Sequence, residues 1–220
     1  MRKLLLLLAL LSLSAEARRP PPRRKGSKPS SSAPGVDPAR FFAARPGLLR
    51  IYEGRNEGRA ANPDDDNAEP PAGASCEVIE ARPREGGANG SVKESCTMIV
   101  GRKSRPSTEL TYALRTDGIW NVQVRPEGGQ SQEVSRLVLP SPLRKGSSWK
   151  EPRGPVELDR TVKSAGGGCH AAGRSFADCL VLYVTQKQGA KVMRRYTETY
   201  AAGVGLVEDA QWDLVDVKGL

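Results

Sequence analysis

From Phe41 to the C-terminus, short runs that alternate apolar and polar residues recur between glycines and prolines, and no stretch sustains the 3.6-residue period of an amphipathic helix. A two-residue period places successive side chains on opposite faces, so the chain is committed to strands. The segment "ELTYALRTDGIWNVQVR", residues 109–125, shows it best. Leu110, Tyr112 and Leu114 share one face of an extended chain, and Trp120, Val122 and Val124 share one face of the next. A two-residue Asp117-Gly118 turn would put these rows on opposite faces. A three-residue loop, Thr116-Asp117-Gly118, pairs Leu114 with Trp120, Tyr112 with Val122 and Leu110 with Val124, and burial favours it.

Further strands are expected at 48–54, 76–82, 91–101, 135–140, 156–164, 179–186, 191–201 and 211–217. About ten strands joined by short turns imply antiparallel pairing. The fold class is all-β: one domain over residues 41–220, built as a single curved antiparallel sheet or half-barrel of about ten strands.

The four cysteines, Cys76, Cys96, Cys169 and Cys179, allow three connectivities. Cys76 and Cys96 fall in neighbouring expected strands and Cys169 and Cys179 flank one short loop, so each is expected to pair within its neighbourhood. Spacings of 20, 73 and 10 residues and a single histidine do not suit zinc.

The N-terminus has a different character. Arg2 and Lys3 precede an apolar run, Leu4–Leu13, and the small-x-small Ala15-Glu16-Ala17, the pattern of a secretory signal over residues 1–17. Residues 18–40, rich in proline, serine and basic side chains, have no apolar surface to offset chain entropy and read as a disordered tail. Arg18, Arg19, Arg23, Arg24, Lys25 and Lys28 could engage an anionic envelope surface there. The charge itself is local. Residues 1–40 hold nine of the 34 Lys and Arg and two of the 25 acids, so the remainder carries 25 basic against 23 acidic side chains. A nearly neutral body excludes a nucleic-acid partner. No later segment is long and apolar enough for a membrane helix.

Catalytic signatures are absent. His170 follows Cys169, but adjacent residues rarely have the geometry a base needs and Cys169 is expected to be oxidised. The acidic run "NPDDDNAEP", residues 62–70, lacks the glycine and distal glutamate of a calcium loop and reads as a solvated loop. In "RRYTETYAAGVGLV", residues 194–207, Arg194, Tyr196, Glu198 and Tyr200 share a face before Gly203 and Gly205 permit a bend. That face suits a ligand cavity or a sheet surface with cross-strand charge pairs; the sheet surface is the simpler reading.

Four phrases resemble a family of exported bacterial proteins, TapB-like, of unknown function. They are "FFAARPGLLRIYEG"; "LPSPLRKGSSWKE", through Leu139, Pro140, Leu143, Gly146 and Trp149; "CHAAGRSFADCLVL", through Gly173, Phe176 and Cys179; and "RRYTETYAAGVGLVE", through Gly203, Val204 and Gly205. The resemblance implies a large, curved antiparallel sheet, loosely similar to half-barrels that carry lipids or lipoproteins in the bacterial envelope. Many relatives look like lipoproteins, whereas this chain lacks the anchoring cysteine at the expected cleavage site, where Arg18 stands.

The functional expectation is therefore a periplasmic or secreted, non-enzymatic protein without cofactor. It would bind a lipid-like or apolar ligand, or a partner polypeptide, on a face carrying Tyr112, Trp120, Tyr183, Tyr196 and Tyr200. The alternative is a structural or assembly factor docking envelope proteins through its tail and sheet edges. A hydrolase ranks last.

Overall fold

The structure is a computed structural model that describes residues 35–55, 72–85, 88–100 and 103–220. The signal, the tail through residue 34 and the acidic run 62–70 lie outside the described residues. Fifteen strands form, in chain order β1 (Leu49–Gly54), β2 (Gly73–Arg82), β3 (Gly90–Val100), β4 (Lys103–Ser104), β5 (Thr108–Arg115), β6 (Gly118–Pro126), β7 (Gln132–Pro140), β8 (Ser148–Arg153), β9 (Val156–Ala165), β10 (Cys169–Ala171), β11 (Arg174–Phe176), β12 (Cys179–Gln188), β13 (Lys191–Ala201), β14 (Gly205–Glu208) and β15 (Trp212–Lys218).

The main sheet runs β7-β6-β5-β3-β2-β1-β15-β14-β13-β12-β9-β8, antiparallel throughout, with β4 added beside β3; β10 and β11 form a separate hairpin. Along the main sheet's path, strands consecutive in chain order lie next to one another, β7 and β8 excepted, and β1 bonds to β15, Leu49 opposite Lys218. The sheet therefore curls into a nearly closed barrel whose seam falls mid-chain, between β7 and β8, which approach one another without a hydrogen-bonded ladder. The all-β expectation holds, with more strands than the ten foreseen. Ser148–Arg153 was not foreseen because Pro152 and three charged residues disguise it.

Alternation sets the two surfaces. Leu158, Val162, Leu180, Leu182, Val184, Val78, Val92 and Leu114 point inward and are buried. Outward stand charged residues in cross-strand pairs, such as Lys150 Nζ with Glu157 at 2.7 Å and Lys93 Nζ with Glu109 at 3.0 Å. An outer wall of this kind faces water, the inverse of a membrane-spanning barrel. Among the described residues no helix is long and apolar enough to cross a membrane.

The β5–β6 hairpin departs from the expected register. Arg115 pairs with Gly118, leaving Thr116-Asp117 as a two-residue loop; Leu114 opposes Ile119 and Tyr112 opposes Asn121. A bulge at Val122 then restores Leu110 opposite Val124, the one expected pair that forms. Gly118 has φ +147°, and a Cβ there would come within 2.3 Å of the Leu139 carbonyl oxygen of β7, so no other residue fits.

One end of the barrel is plugged by residues expected in the tail. Val36 exchanges two 2.8 Å backbone hydrogen bonds with Leu143, Asp37 Oδ1 accepts from the Ala39 amide, and a 3-10 turn Pro38–Phe41 follows. The tail thus yields Gly35–Arg40 to the fold, because Phe41, Phe42, Ala43 and Leu48 need the barrel interior to leave water. The two disulfides, Cys76–Cys96 and Cys169–Cys179, are those expected.

Phe41 is fully buried in this plug. Phe41→Ala should lower the unfolding free energy by about 3–5 kcal/mol, read as a lower urea midpoint at unchanged slope. A loss under about 1 kcal/mol would show that the plug adds little to stability.

Candidate functional site

The barrel interior is partly polar, and the reason is parity. Arg160 lies between Leu158 and Val162, Arg50 between Leu48 and Tyr52, Glu94 between Val92 and Cys96, and Glu198 between Tyr196 and Tyr200, each in phase with an inward row. Arg160 is only 2% exposed. Its Nε and Nη2 donate to Glu198 at 3.0 and 2.9 Å, and its Nη1 donates to Glu151 of β8. Arg153 Nε donates to the other Glu151 oxygen at 2.6 Å, and the Tyr200 hydroxyl donates to Glu198 at 3.2 Å. Burial pulls the Arg160 pKa down, but Glu198, Tyr200 and Glu151 push it further up, so the guanidinium stays charged.

A second pair sits across the interior. Arg50 Nη2 lies 2.5 Å from Glu94 Oε1 in an ion pair, and Arg50 Nε has no hydrogen-bond partner among the described residues. Burial raises the Glu94 pKa against the opposing pull of Arg50. Arg50 in turn presses on Gly205, where φ is +97° and a Cβ would stand 2.6 Å from Nη1. The second glycine of "GVG" is thus the space for this guanidinium. Burial also pushes the Tyr52 pKa up to about 12 and the Tyr112 pKa higher still, so both phenols stay protonated.

Between the two ionic groups lies a cavity of about 400 Å³. Its floor is the plug, where Phe42 packs edge-on against Tyr112 with centroids 4.7 Å apart. Its walls are mainly apolar, from Ala74, Met98, Leu110, Val138, Leu206 and the Cys76–Cys96 disulfide; Asn121, Arg136, Glu151 and Arg153 interrupt them. It leads toward the end opposite the plug, where Met98 is 46% exposed and the Arg153 side chain 50%. Asn121, 8% exposed, has no hydrogen-bond partner for its Oδ1.

The five expected face residues divide. Tyr112 and Tyr200 line the cavity, and Tyr196 points inward beside it under the Arg194 guanidinium, 5.0 Å from the ring centroid. Trp120 and Tyr183 belong to the outer wall. The Val122 bulge gives the interior to Ile119 and Asn121, so Trp120 opposes Ala113 and its Nε1 donates to Asp117 at 3.1 Å. On β12, Leu180, Leu182 and Val184 take the inner positions, leaving Tyr183 52% exposed beneath Lys163. The Arg194–Tyr200 face is interior, not a water-facing sheet surface. Arg18, Arg19, Arg23, Arg24, Lys25 and Lys28 lie outside the described residues.

His170 is exposed on the β10–β11 hairpin, with Nε2 2.8 Å from Ser175 Oγ, its cross-strand partner. Cys169 beside it is in a disulfide, so the chain-adjacent Cys-His pair has no thiol. Among the described residues no group of His, Cys, Asp or Glu is placed to hold a metal ion.

No protein-family description matches the chain, and no curated protein matches it. Two solved structures are similar to it, and the likeness in fold rests on the first. One is a candidate exported protein with a YmcC-like fold from Bacteroides fragilis, 10% identical, with a TM-score of 0.51 over 81% of this chain and 99% of that one. Another is a candidate lipoprotein from Parabacteroides distasonis, 13% identical, with a TM-score of 0.44 over 81% of this chain and 98% of that one. At such identity the likeness is one of fold, and it does not bear on the TapB-like phrases as such.

Arg160→Met leaves buried Glu198 without its cation and Glu151 with Arg153 alone, and is expected to cost about 3–5 kcal/mol in chemical denaturation. Removing the exposed Lys150 charge is the control and should change little. A comparable loss in both variants would refute the buried cluster. The pH dependence of Glu94 has a definite sign. A carboxyl whose folded pKa is raised binds its proton more tightly in the native state, so its contribution to stability declines as pH rises from the ordinary value of 4.5 through the folded one. Glu94→Gln should therefore be least stable relative to the native chain below pH 4.5, with the deficit narrowing as pH rises; a deficit that widens would reverse the assignment.

Proposed function

We propose that this chain is an exported, non-enzymatic binding protein of a bacterial envelope, and that it holds an apolar or amphipathic, lipid-like small molecule inside its barrel. The observation that carries the reading is the interior cavity with two buried polar atoms on its lining residues, Arg50 Nε and Asn121 Oδ1, that find no hydrogen-bond partner among the described residues. Native interiors seldom leave such groups orphaned unless something else meets them. A volume near 400 Å³ with mostly apolar walls is in the range of small-molecule sites. The secretory-type N-terminus and two disulfides favour an oxidising compartment outside the cytoplasm, periplasmic or extracellular. The names of the structural neighbours, exported protein and lipoprotein, agree with that address.

Docking to envelope proteins is the second reading, favoured by the mid-chain seam, where β7 and β8 each lack a ladder on one side. A native mass spectrum of the mature protein, purified gently from its own compartment, separates the two. The expected result is one added mass that vanishes on denaturation and is absent from Leu110→Trp, in which a larger side chain occupies the cavity. A bare mass for the native chain would reject the carrier and leave docking.

A further inference from the structure

We propose that the cavity selects a single-chain amphiphile with one acidic head group, and that Arg136 recognises the charge. This rests on the reading that the cavity holds a ligand.

The charge balance of the interior points to it. Arg153 and Arg160 are matched by Glu151 and Glu198, and Arg50 by Glu94. Arg136, on the wall of the same cavity, has no carboxylate within ion-pair reach among the described residues. It is partly buried on β7, directly across the ladder from Asn121 of β6. Asn121 in turn opposes Tyr112 of β5. The cavity lining thus carries one positive charge in excess, Arg50, Arg136 and Arg153 against Glu94 and Glu151, and the unmatched cation stands beside a buried amide with an unused acceptor. A carboxylate or phosphate monoester meets the guanidinium with charge-assisted hydrogen bonds. A hydroxyl on the same head would satisfy Asn121 Oδ1.

The other walls fix the remainder of the molecule. Phe42, Ala74, Leu110, Val138 and Leu206 offer no polar side-chain group, which suits a hydrocarbon chain. A space of about 400 Å³ lies near the lower end of small-molecule sites, enough for one chain and too small to enclose a lipid with several.

Decanoate, decyl phosphate and decanol share a chain and differ in the head, and their binding to the full mature protein can be measured by titration calorimetry below micelle formation. The acids are expected to bind at least about tenfold more tightly than the alcohol, the factor one charge-assisted hydrogen bond supplies. Arg136→Gln should abolish that preference while decanol binding persists, and Arg136→Lys should retain most of it, which separates charge recognition from a folding defect. If only one acid shows the preference, the proposal stands and that acid names the head group. Equal binding of acids and alcohol, or a preference that survives Arg136→Gln, overturns the proposal but leaves the carrier reading intact. If none of the three binds, both fall.

Discussion

Twelve strands arranged in a ring enclose more space than aliphatic side chains can fill. Eight make an interior that side chains just occupy, and each added strand widens it. This protein answers with length: Arg50, Arg160, Glu94, Glu151, Glu198 and the inward tyrosines reach toward the centre, while Phe41 and Phe42 enter from one end. The polar interior, the plug and the residual cavity are three consequences of one strand number.

Filling a barrel with ions is costly in itself, since each charge loses its hydration. The arrangement offsets the cost by bidentate geometry, with Arg160 gripping Glu198 through two nitrogens and Glu151 through the third. Because β8 supplies Glu151, β9 Arg160 and β13 Glu198, the cluster also fixes how three strands are staggered. An aliphatic row would tolerate a slip by two residues; this one would strand a charge. The Arg50–Glu94 contact is less well satisfied and lies at the cavity wall.

Much of the fold was legible in the residues themselves. All ten expected runs, from 48–54 to 211–217, became strands at similar limits, because a two-residue period survives any tertiary context. Both cysteine pairs could also be placed from neighbourhood alone. The site was less legible. A charged residue in an alternating strand is ordinarily solvent-facing, so nothing singled out Arg160 in "LDRTV" and the face of Glu198 in "YTETY" read more simply as a sheet surface, although their parity with Leu158, Val162 and Tyr200 was the signal of an interior position. Trp120 misled for a different reason: one bulged residue, Val122, reverses which side of the hairpin faces in, and nothing in the composition of that strand marks it. The plug was hidden because Gly35–Arg40 are ordered by the barrel they close, not by their own propensity.

The position of the seam bears on when this barrel can form. Its first strand, at Leu49, bonds to its last, at Lys218, so the loop closed by that pairing is nearly the whole domain. Contacts of such long sequence separation arrive late and make folding slow. A chain that stops short of β15 has β1 and β14 without a neighbour between them, however many hairpins it has already made. Completion therefore waits for β15. The ring locks only when that strand has been made and delivered, so a chain exported as proposed would stay open until β15 had followed the rest across.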